Sequence, residues 1–365
     1  KMAEFKIDLS KKTAPLCILE ILKEHTDSFY GHSLTISEIC SKLQTDYGLD
    51  LNRKTVSNTL SELKYFFSEY EDHEYCVCCT EKNVATRYKD GEEYVVSKSD
   101  GWYISRDFSD AELRLLIDGL LFSKHLPNSH CRALSKKLEK LSSKYFKARI
   151  KHIDTMIERS CKNKQLFYTV EILDEAIDKE RQVSFSYCSF NTDKKLCPRL
   201  ASDGSIRSYI INPYQMVAAN GRYYLIANYD KYDNIAHYRL DYITDIKLLD
   251  TPAKDKSLLV DYKNGFNLPR HMAEHFYMYT GSSITVTFHA DKTILNDLFD
   301  WFSDDMIFSN ETDKTVDVTV KANQDSMLFW SLQYGRYIEV INPPDFREKI
   351  AEVTGSMAEK YKTPK

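Results

Sequence analysis

Two short segments bring cations and aromatic rings together. They are Gly221-Arg222-Tyr223-Tyr224-Leu225, with Asn212-Pro213-Tyr214 upstream, and His237-Tyr238-Arg239-Leu240-Asp241 downstream. Read as strands with period-two alternation, they place Arg222, Tyr224, His237 and Arg239 on polar faces, and Tyr223, Leu225, Ala227, Tyr238 and Leu240 toward a core. A guanidinium forks two hydrogen bonds onto a phosphate, and an aromatic ring offers a stacking face to a base. The polar set therefore suits a phosphate-bearing or nucleobase-bearing ligand, and Arg181, Arg199 and Arg207 can add cations at the mouth of the same small sheet. The plainer account is a solvated surface whose cations pair with Asp230, Asp233 or Asp241. A peptide or a small anion would satisfy the same groups.

A second set of residues could read DNA. A helix capped by Asn52 and running through Phe66 turns Val56, Leu60 and Leu63 inward and leaves Arg53, Lys54, Ser57, Asn58 and Ser61 outward. Arginine and lysine reach guanine edges or phosphates, asparagine bonds adenine at two points, and serine hydroxyls hold phosphate oxygens. The elements around this helix support that use. Thr35-Ile36-Ser37-Glu38 is a capping box, with Leu34 and Ile39 as its hydrophobic staple, and Tyr47-Gly48-Leu49 ends the helix it starts. Leu16, Leu19 and Leu22 mark a buried helix before it, and Glu74–Ala85 and Tyr94–Ile104 flank Lys89-Asp90-Gly91 as the two strands of a ribbon. The order is helix, helix, turn, helix, then a β-wing.

Other chemistry leaves weaker traces. His73 with Cys76-Val77-Cys78-Cys79 lacks a second cysteine pair at zinc spacing, so alternation of Cys76 and Cys78 on one strand face is the simpler account and no metal is expected. His125, His130 and His152 fall in helical segments without matching partners and read as structural. There is no phosphate-cradling glycine loop, no Gly-x-Ser-x-Gly and no His-Glu-x-x-His, and 11 glycines are sparse material for such loops. The sequence thus predicts neither an enzyme nor a bound cofactor.

Length and composition set the frame. A chain of 365 residues, 42% hydrophobic and 28% charged, predicts two or three folded domains. No run approaches the ~20 apolar residues of a membrane span, and Lys1-Met2-Ala3-Glu4-Phe5 lacks the apolar core of a signal peptide, so a cytoplasmic location is expected. Nine scattered cysteines fit a reducing compartment. A net charge of −4 means that any affinity for nucleic acid must come from a local face.

The whole reads as an α+β multidomain chain. Residues 1–108 form a winged helix-turn-helix. Residues 109–180 form a helical connector that starts at the capping box Ser109-Asp110-Ala111-Glu112. Residues 181–255 hold four or five short antiparallel strands, at 206–217, 222–229 and 235–249 among others, best closed as a small SH3-like or Sm-like β-barrel. Residues 256–281 are a linker. Residues 282–365 follow the order βαββαβ of a ferredoxin-like sheet with an added closing helix.

Tyr223-Tyr224-Leu225 and Arg239-Leu240-Asp241 resemble the WYL domain of bacterial transcriptional regulators, with tyrosine in place of the first letter of the family triplet. Trp301, Trp330, Tyr337 and Val340 resemble the WCX extension that often follows it, and Arg53-Lys54-Thr55-Val56 resembles the start of the recognition helix in winged regulators. The resemblance implies effector sensing through Tyr224 and Arg239, and a ligand-responsive regulator with a nucleotide or nucleic-acid effector. Its other implied partner is a double-stranded DNA operator, palindromic if the protein is a homodimer. An alternative from the same family association is an accessory protein that binds single-stranded nucleic acid beside an RNA-guided (CRISPR) defence complex.

Overall fold

Pro15 opens the first helix, α1 (Ala14–His25), in the turn where its missing amide costs nothing, and Cys17, Ile18, Ile21 and Leu22 give it one buried face. The computed structural model to which this helix belongs describes residues 10–27, 31–69, 75–89, 92–149, 163–263 and 265–362; His73, Asp90, Gly91 and His152 lie outside them. It is a mixed α+β chain with three antiparallel sheets among the described residues, and its contacts divide it into two units.

The first unit holds the described residues up to Phe122, together with 128–149. Helix α2 (Ile36–Tyr47) starts on the expected box: the Thr35 amide donates to Glu38 Oε2 at 2.7 Å and the Glu38 amide to Thr35 Oγ1 at 3.3 Å. It stops at Gly48, whose φ of 70° is the left-handed conformation that glycine adopts without strain. Helix α3 (Arg53–Glu69) begins on Asn52, whose Oδ1 accepts from the Thr55 amide at 2.8 Å. Val56, Leu60 and Phe67 turn into a core shared with Ile39, Leu43, Trp102 and Ile104. Strands β1 (Tyr75–Lys89) and β2 (Glu92–Arg106) make the ribbon, longer than the alternation predicts. Its base is tied down: Leu34 and Trp102 exchange backbone hydrogen bonds of 2.9 and 2.8 Å, and the Ile104 amide donates to Thr26 Oγ1 at 3.0 Å.

Helices α4 (Asp110–Phe122), α5 (Asn128–Glu139) and α6 (Lys144–Arg149) follow, with Leu113, Ile117 and Phe146 buried together. The helical run is interrupted at 123–127. Those residues pack with the second unit, where the Lys124 amide donates to the Gly221 carbonyl at 2.7 Å. His125 therefore sits in a buried loop rather than a helix, with Nδ1 3.1 Å from the same carbonyl.

In the second unit, α7 (Leu166–Asp178) buries Leu166, Thr169, Leu173 and Ala176. It precedes a sheet of β3 (Arg181–Phe190), β4 (Leu196–Pro198), β5 (Ser208–Ala219), β6 (Arg222–Tyr229), β7 (Ala236–Arg239) and β8 (Ile243–Pro252), ordered β4-β3-β5-β6-β7 with β8 on β3. Asn220 and Gly221, at φ 51° and 71°, form the two-residue turn between β5 and β6. The single strand expected at 235–249 is two strands. A 3-10 turn at Leu240–Tyr242 breaks it, burying Leu240 and Asp241, and joins β7 and β8, the two ends of the ladder.

A buried amide chain fixes this sheet. Gln182 Nε2 donates to Asn212 Oδ1 at 3.0 Å, Asn212 Nδ2 to Asn228 Oδ1 at 3.1 Å, and Asn228 Nδ2 to the carbonyls of Tyr232 and Asn234 at 2.8 Å each. Residues 256–278 then cover the outer face of β6. Helices α8 (Val260–Lys263) and α9 (Leu268–Glu274) lie in this segment, and Leu259 and Met278 are buried against Val217, Tyr224, Ile226 and Ile235.

The chain ends in β9 (Ser283–Asp291), α10 (Leu295–Phe302), β10 (Ile307–Ser309), β11 (Thr315–Asn323), α11 (Gln324–Gln333), β12 (Ile338–Asn342) and α12 (Pro344–Lys362). The strands are antiparallel in the order β10-β11-β9-β12, over a core of Phe288, Leu298, Phe302, Val318 and Trp330.

Asn228→Ala removes both donors to the 232–234 loop and leaves the Asn212 amide without one of its acceptors. Urea unfolding should show a loss of about 2 kcal/mol; an unchanged midpoint would deny the amide chain its role.

Candidate anion-binding site

The four central candidates, Arg222, Tyr224, His237 and Arg239, meet in one cleft. The cleft measures about 520 Å³, and Lys124, Arg222, Tyr224, His237 and Arg239 line it with Tyr187, Asn220, Tyr277, Tyr279 and Trp301. Register explains the convergence. Tyr224 lies opposite Arg239 and Ile226 opposite His237, so the polar positions of β6 and β7 share a face.

One carboxylate organises the cations. Arg239 Nε donates to Asp241 Oδ1 at 3.0 Å and its Nη2 to Oδ2 at 2.6 Å, while Arg222 Nη1 stands 3.6 Å from the same Oδ2. The Asp241 side chain is only 4% exposed, against 22% for Arg239 and 26% for Arg222. The Arg239 guanidinium also lies over the Tyr242 ring at 3.9 Å, and its amide donates to the Tyr187 hydroxyl at 3.1 Å. Burial works against the charge of Arg239, but the bonds to Asp241 outweigh it and its pKa is raised. Three cations thus face the cleft, and Asp241 is the carboxylate that meets two of them. The balance favours an anion.

The phenols around it pack the cleft wall, and the Tyr187 hydroxyl accepts from the Arg239 amide. Burial pushes Tyr187 up to about 12 and raises Tyr224, where Arg239 and Arg222 partly offset the effect.

The alternation reading is corrected at three residues. Tyr223, expected in the core, is exposed and meets His125 edge-on at 4.8 Å. Tyr224, expected outward, is buried. Because residues 256–278 cover the outer face, β6 is buried on both sides from Tyr224 to Asn228. His237, also expected outward, is half-buried beside His271 of α9 and His275, the residue that caps that helix. Its Nε2 is 2.9 Å from His271 Nε2, His271 stacks on His275 at 4.0 Å, and His237 Nδ1 has no hydrogen-bond partner among the described residues. Burial and then the neighbouring imidazoles hold His237 down at about 3 and His271 at about 4.

The remaining cations are scattered. Arg199 lies over the Tyr187 ring at 5.0 Å, one ring removed from the cleft. Arg181 donates to the Asp250 carbonyl at the far edge of the sheet. Arg207 lies over Tyr209 at 4.7 Å and lines a different pocket. Sequence reasoning missed Lys124, Tyr187, Tyr277, Tyr279 and Trp301, and took Asp241 only as a neutralising partner. The spacing of His271 and His275, one helical turn apart, was a signal for the imidazole cluster.

On α3, Arg53, Lys54, Asn58 and Ser61 are exposed and Ser57 is half-buried. Ser61 Oγ donates to the Ser57 carbonyl at 3.0 Å, so that hydroxyl is already engaged within the helix. Near them, Lys64 Nζ donates to Cys79 Sγ at 3.2 Å.

The imidazoles predict a pH dependence. His237 and His271 stay neutral in the folded chain well below the ordinary value of 6.5, whereas the unfolded chain takes up protons there. Their contribution to stability is complete above pH 6.5 and is lost as pH falls toward 4 and then 3. Urea midpoints measured from neutral to acid pH should fall, and should fall less steeply in His237→Asn/His271→Asn. Parallel slopes would mean that these rings do not resist protonation.

No curated protein matches the sequence. Among solved structures, the chain is similar to proteasome accessory factor B/C (PafBC) of Arthrobacter aurescens, at 13% identity and a TM-score of 0.27 over 99% of this chain and 51% of that one. It therefore spans about half the length of that protein. It is also similar to a CRISPR Cas-related protein, at 13% identity and a TM-score of 0.37, over 96% of this chain and 84% of that one. Residues 168–248, from within α7 into β8, match the WYL domain family, and the chain is on that ground a WYL-domain protein.

Proposed function

We propose that this chain is a ligand-responsive, DNA-binding transcriptional regulator whose WYL domain takes an anionic effector in the cleft of Arg222, Tyr224 and Arg239. The observation that carries the reading is the pair of guanidiniums aimed by one buried carboxylate, an arrangement that leaves positive charge over a cleft large enough for a nucleotide-sized group. The chemistry is recognition, not catalysis.

The finer architecture follows the same reading. The three helices and ribbon of the first unit serve as a winged helix-turn-helix, the curled six-stranded sheet as an SH3-like barrel, and β9 to β12 with α10 and α11 as a ferredoxin-like WCX domain. Support for the first comes from α3, whose Arg53 and Lys54 are exposed and have no ion pair among the described residues. Support for the last comes from the strand order β10-β11-β9-β12 with helices after the first and third strands. Regulation would arise from a difference in effector affinity between DNA-competent and DNA-incompetent states of a homodimer in the cytoplasm. Among the described residues no helix is long and apolar enough to cross a membrane.

Two measurements test the proposal. Arg53→Ala/Lys54→Ala should weaken duplex binding in fluorescence anisotropy and reduce the salt slope by roughly two, at about 0.9 per lost phosphate contact. An unchanged slope removes α3 from the interface, and tighter binding of single strand than duplex would favour the accessory-protein alternative. For the cleft, pyrophosphate is the simplest anionic probe. It should bind the unaltered chain and bind at least tenfold more weakly to Arg239→Ala; equal affinities would place the anion elsewhere.

A further inference from the structure

The opposite face of the same hairpin carries a second pocket. Tyr238 lies opposite Leu225 and Ala236 opposite Ala227, which puts these residues with Tyr229 on the inner face of the sheet. There, where two small residues meet, a space of about 300 Å³ remains, lined by Arg207, Tyr209, Tyr229, Tyr232, Asn234, Ala236, Tyr238 and Thr280. Tyr209 and Tyr238 meet at 6.2 Å and 74°, and Tyr229 and Tyr232 at 5.9 Å and 41°. The buried Asn228 amide fixes the Tyr232–Asn234 rim from below with its two bonds of 2.8 Å. The pocket is thus built on the rigid part of the sheet and not on a loose loop.

We infer that this pocket holds a single nucleobase stacked among the tyrosines, with the attached phosphate on Arg207. Three properties select that ligand. Four phenol rings offer flat faces, which stack on any base with little regard to sequence. The hydroxyl of Tyr238 keeps its proton, because burial and then the Tyr209 and Tyr229 phenols push it up to about 12, so it donates to the nitrogen and oxygen edge of a base. Arg207 is exposed at the rim over Tyr209 and has no carboxylate partner among the described residues, so it is available to an anion. A methylated ammonium would face that guanidinium without a carboxylate to hold it, and a proline-rich peptide would leave it unused. The pocket is separate from the cleft of the proposed function: Arg222 and Arg239 do not line it, and it stands whether or not that reading does.

The test uses the full chain and the four common nucleoside monophosphates in calorimetric titration, with ribose 5-phosphate as the base-free control. Saturable binding is expected, at least tenfold weaker in Arg207→Ala and in Ala236→Leu, whose added side chain fills the space; circular dichroism checks that both variants fold. A saturable event should persist in Arg222→Ala/Arg239→Ala. The inference is overturned if that event disappears, if Ala236→Leu binds as the unaltered chain does, or if ribose 5-phosphate binds as tightly as the nucleotides. Competition by a 5′-phosphorylated tetranucleotide then identifies the source. Stronger competition than by the monophosphate assigns the pocket to the end of a strand, and equal or weaker competition assigns it to a free nucleotide.

Discussion

The cleft depends on a carboxylate that never reaches it. Asp241 is held by the 3-10 turn between β7 and β8, where Leu240 is buried in the sheet and the aspartate is directed back toward Arg239 and Arg222. A buried carboxylate without cations would be very costly, and two half-exposed guanidiniums without a common anchor would sample many rotamers. Together they settle each other. The two-point bond from Arg239 fixes the plane of its guanidinium, Tyr242 supports that plane from one side, and the donors not bound to Asp241 remain for a ligand. Such preorganisation reduces the ordering cost that an effector would otherwise have to overcome. A second carboxylate at this place would cancel the field, and among the described residues none lines the cleft, which leaves it cationic.

Much of the local structure was legible because its causes are local. The boxes at Thr35–Glu38 and Ser109–Glu112 bond as their spacing predicts, since a capping box needs only residues three apart. The βαββαβ order after Ser283 follows from alternation and helical periodicity broken by Gly335 and proline. The site was legible in its residue types and in the pairing of β6 with β7, which brings Tyr224 and Arg239 opposite each other. Its faces were not. Period two assumes that one side of a strand meets water, and β6 meets Leu259 and Met278 on the side that should have been wet. Nothing within Arg222–Tyr229 announces a covering segment that arrives some thirty residues later. Tyr224, on the covered side, is therefore the buried ring of the triplet, while Tyr223 faces the other side and is exposed against His125.

That covering segment also explains the histidines. His237 belongs to β7, His271 to α9 and His275 to the cap of that helix, so the cluster is the seam where the segment meets the sheet. Its geometry requires neutral rings. With both rings neutral, one Nε2 donates and the other accepts across 2.9 Å, whereas two protonated rings would face each other with like charges, which the Glu274 carboxylate near His271 only partly offsets. His275 adds a tie of its own, with Nδ1 3.0 Å from the His271 carbonyl and Nε2 3.2 Å from that of Gly281. The seam leads into Tyr277 and Tyr279, which extend the cleft beyond the sheet, so the far wall of the site rests on this imidazole cluster.

The distribution of arginines separates two roles that the sequence presented as one. Seen as a string, Arg199, Arg207, Arg222 and Arg239 are a single cationic set. The fold divides them: Arg222 and Arg239 belong to β6 and β7, whereas Arg199 and Arg207 stand between β4 and β5 and lie over Tyr187 and Tyr209. The outer side collects Arg222 and Arg239 around Asp241, with the Tyr242 ring against one face of the Arg239 guanidinium. The inner side collects tyrosines, with Arg207 at the rim of the pocket. Charge with fixed geometry discriminates among anions, while stacked rings with a single cation tolerate many bases. A domain whose hairpin carries both on opposite faces can read a phosphate group and a base at separate places, and the buried Asn212–Asn228 pair keeps the strands between them from yielding when either is occupied.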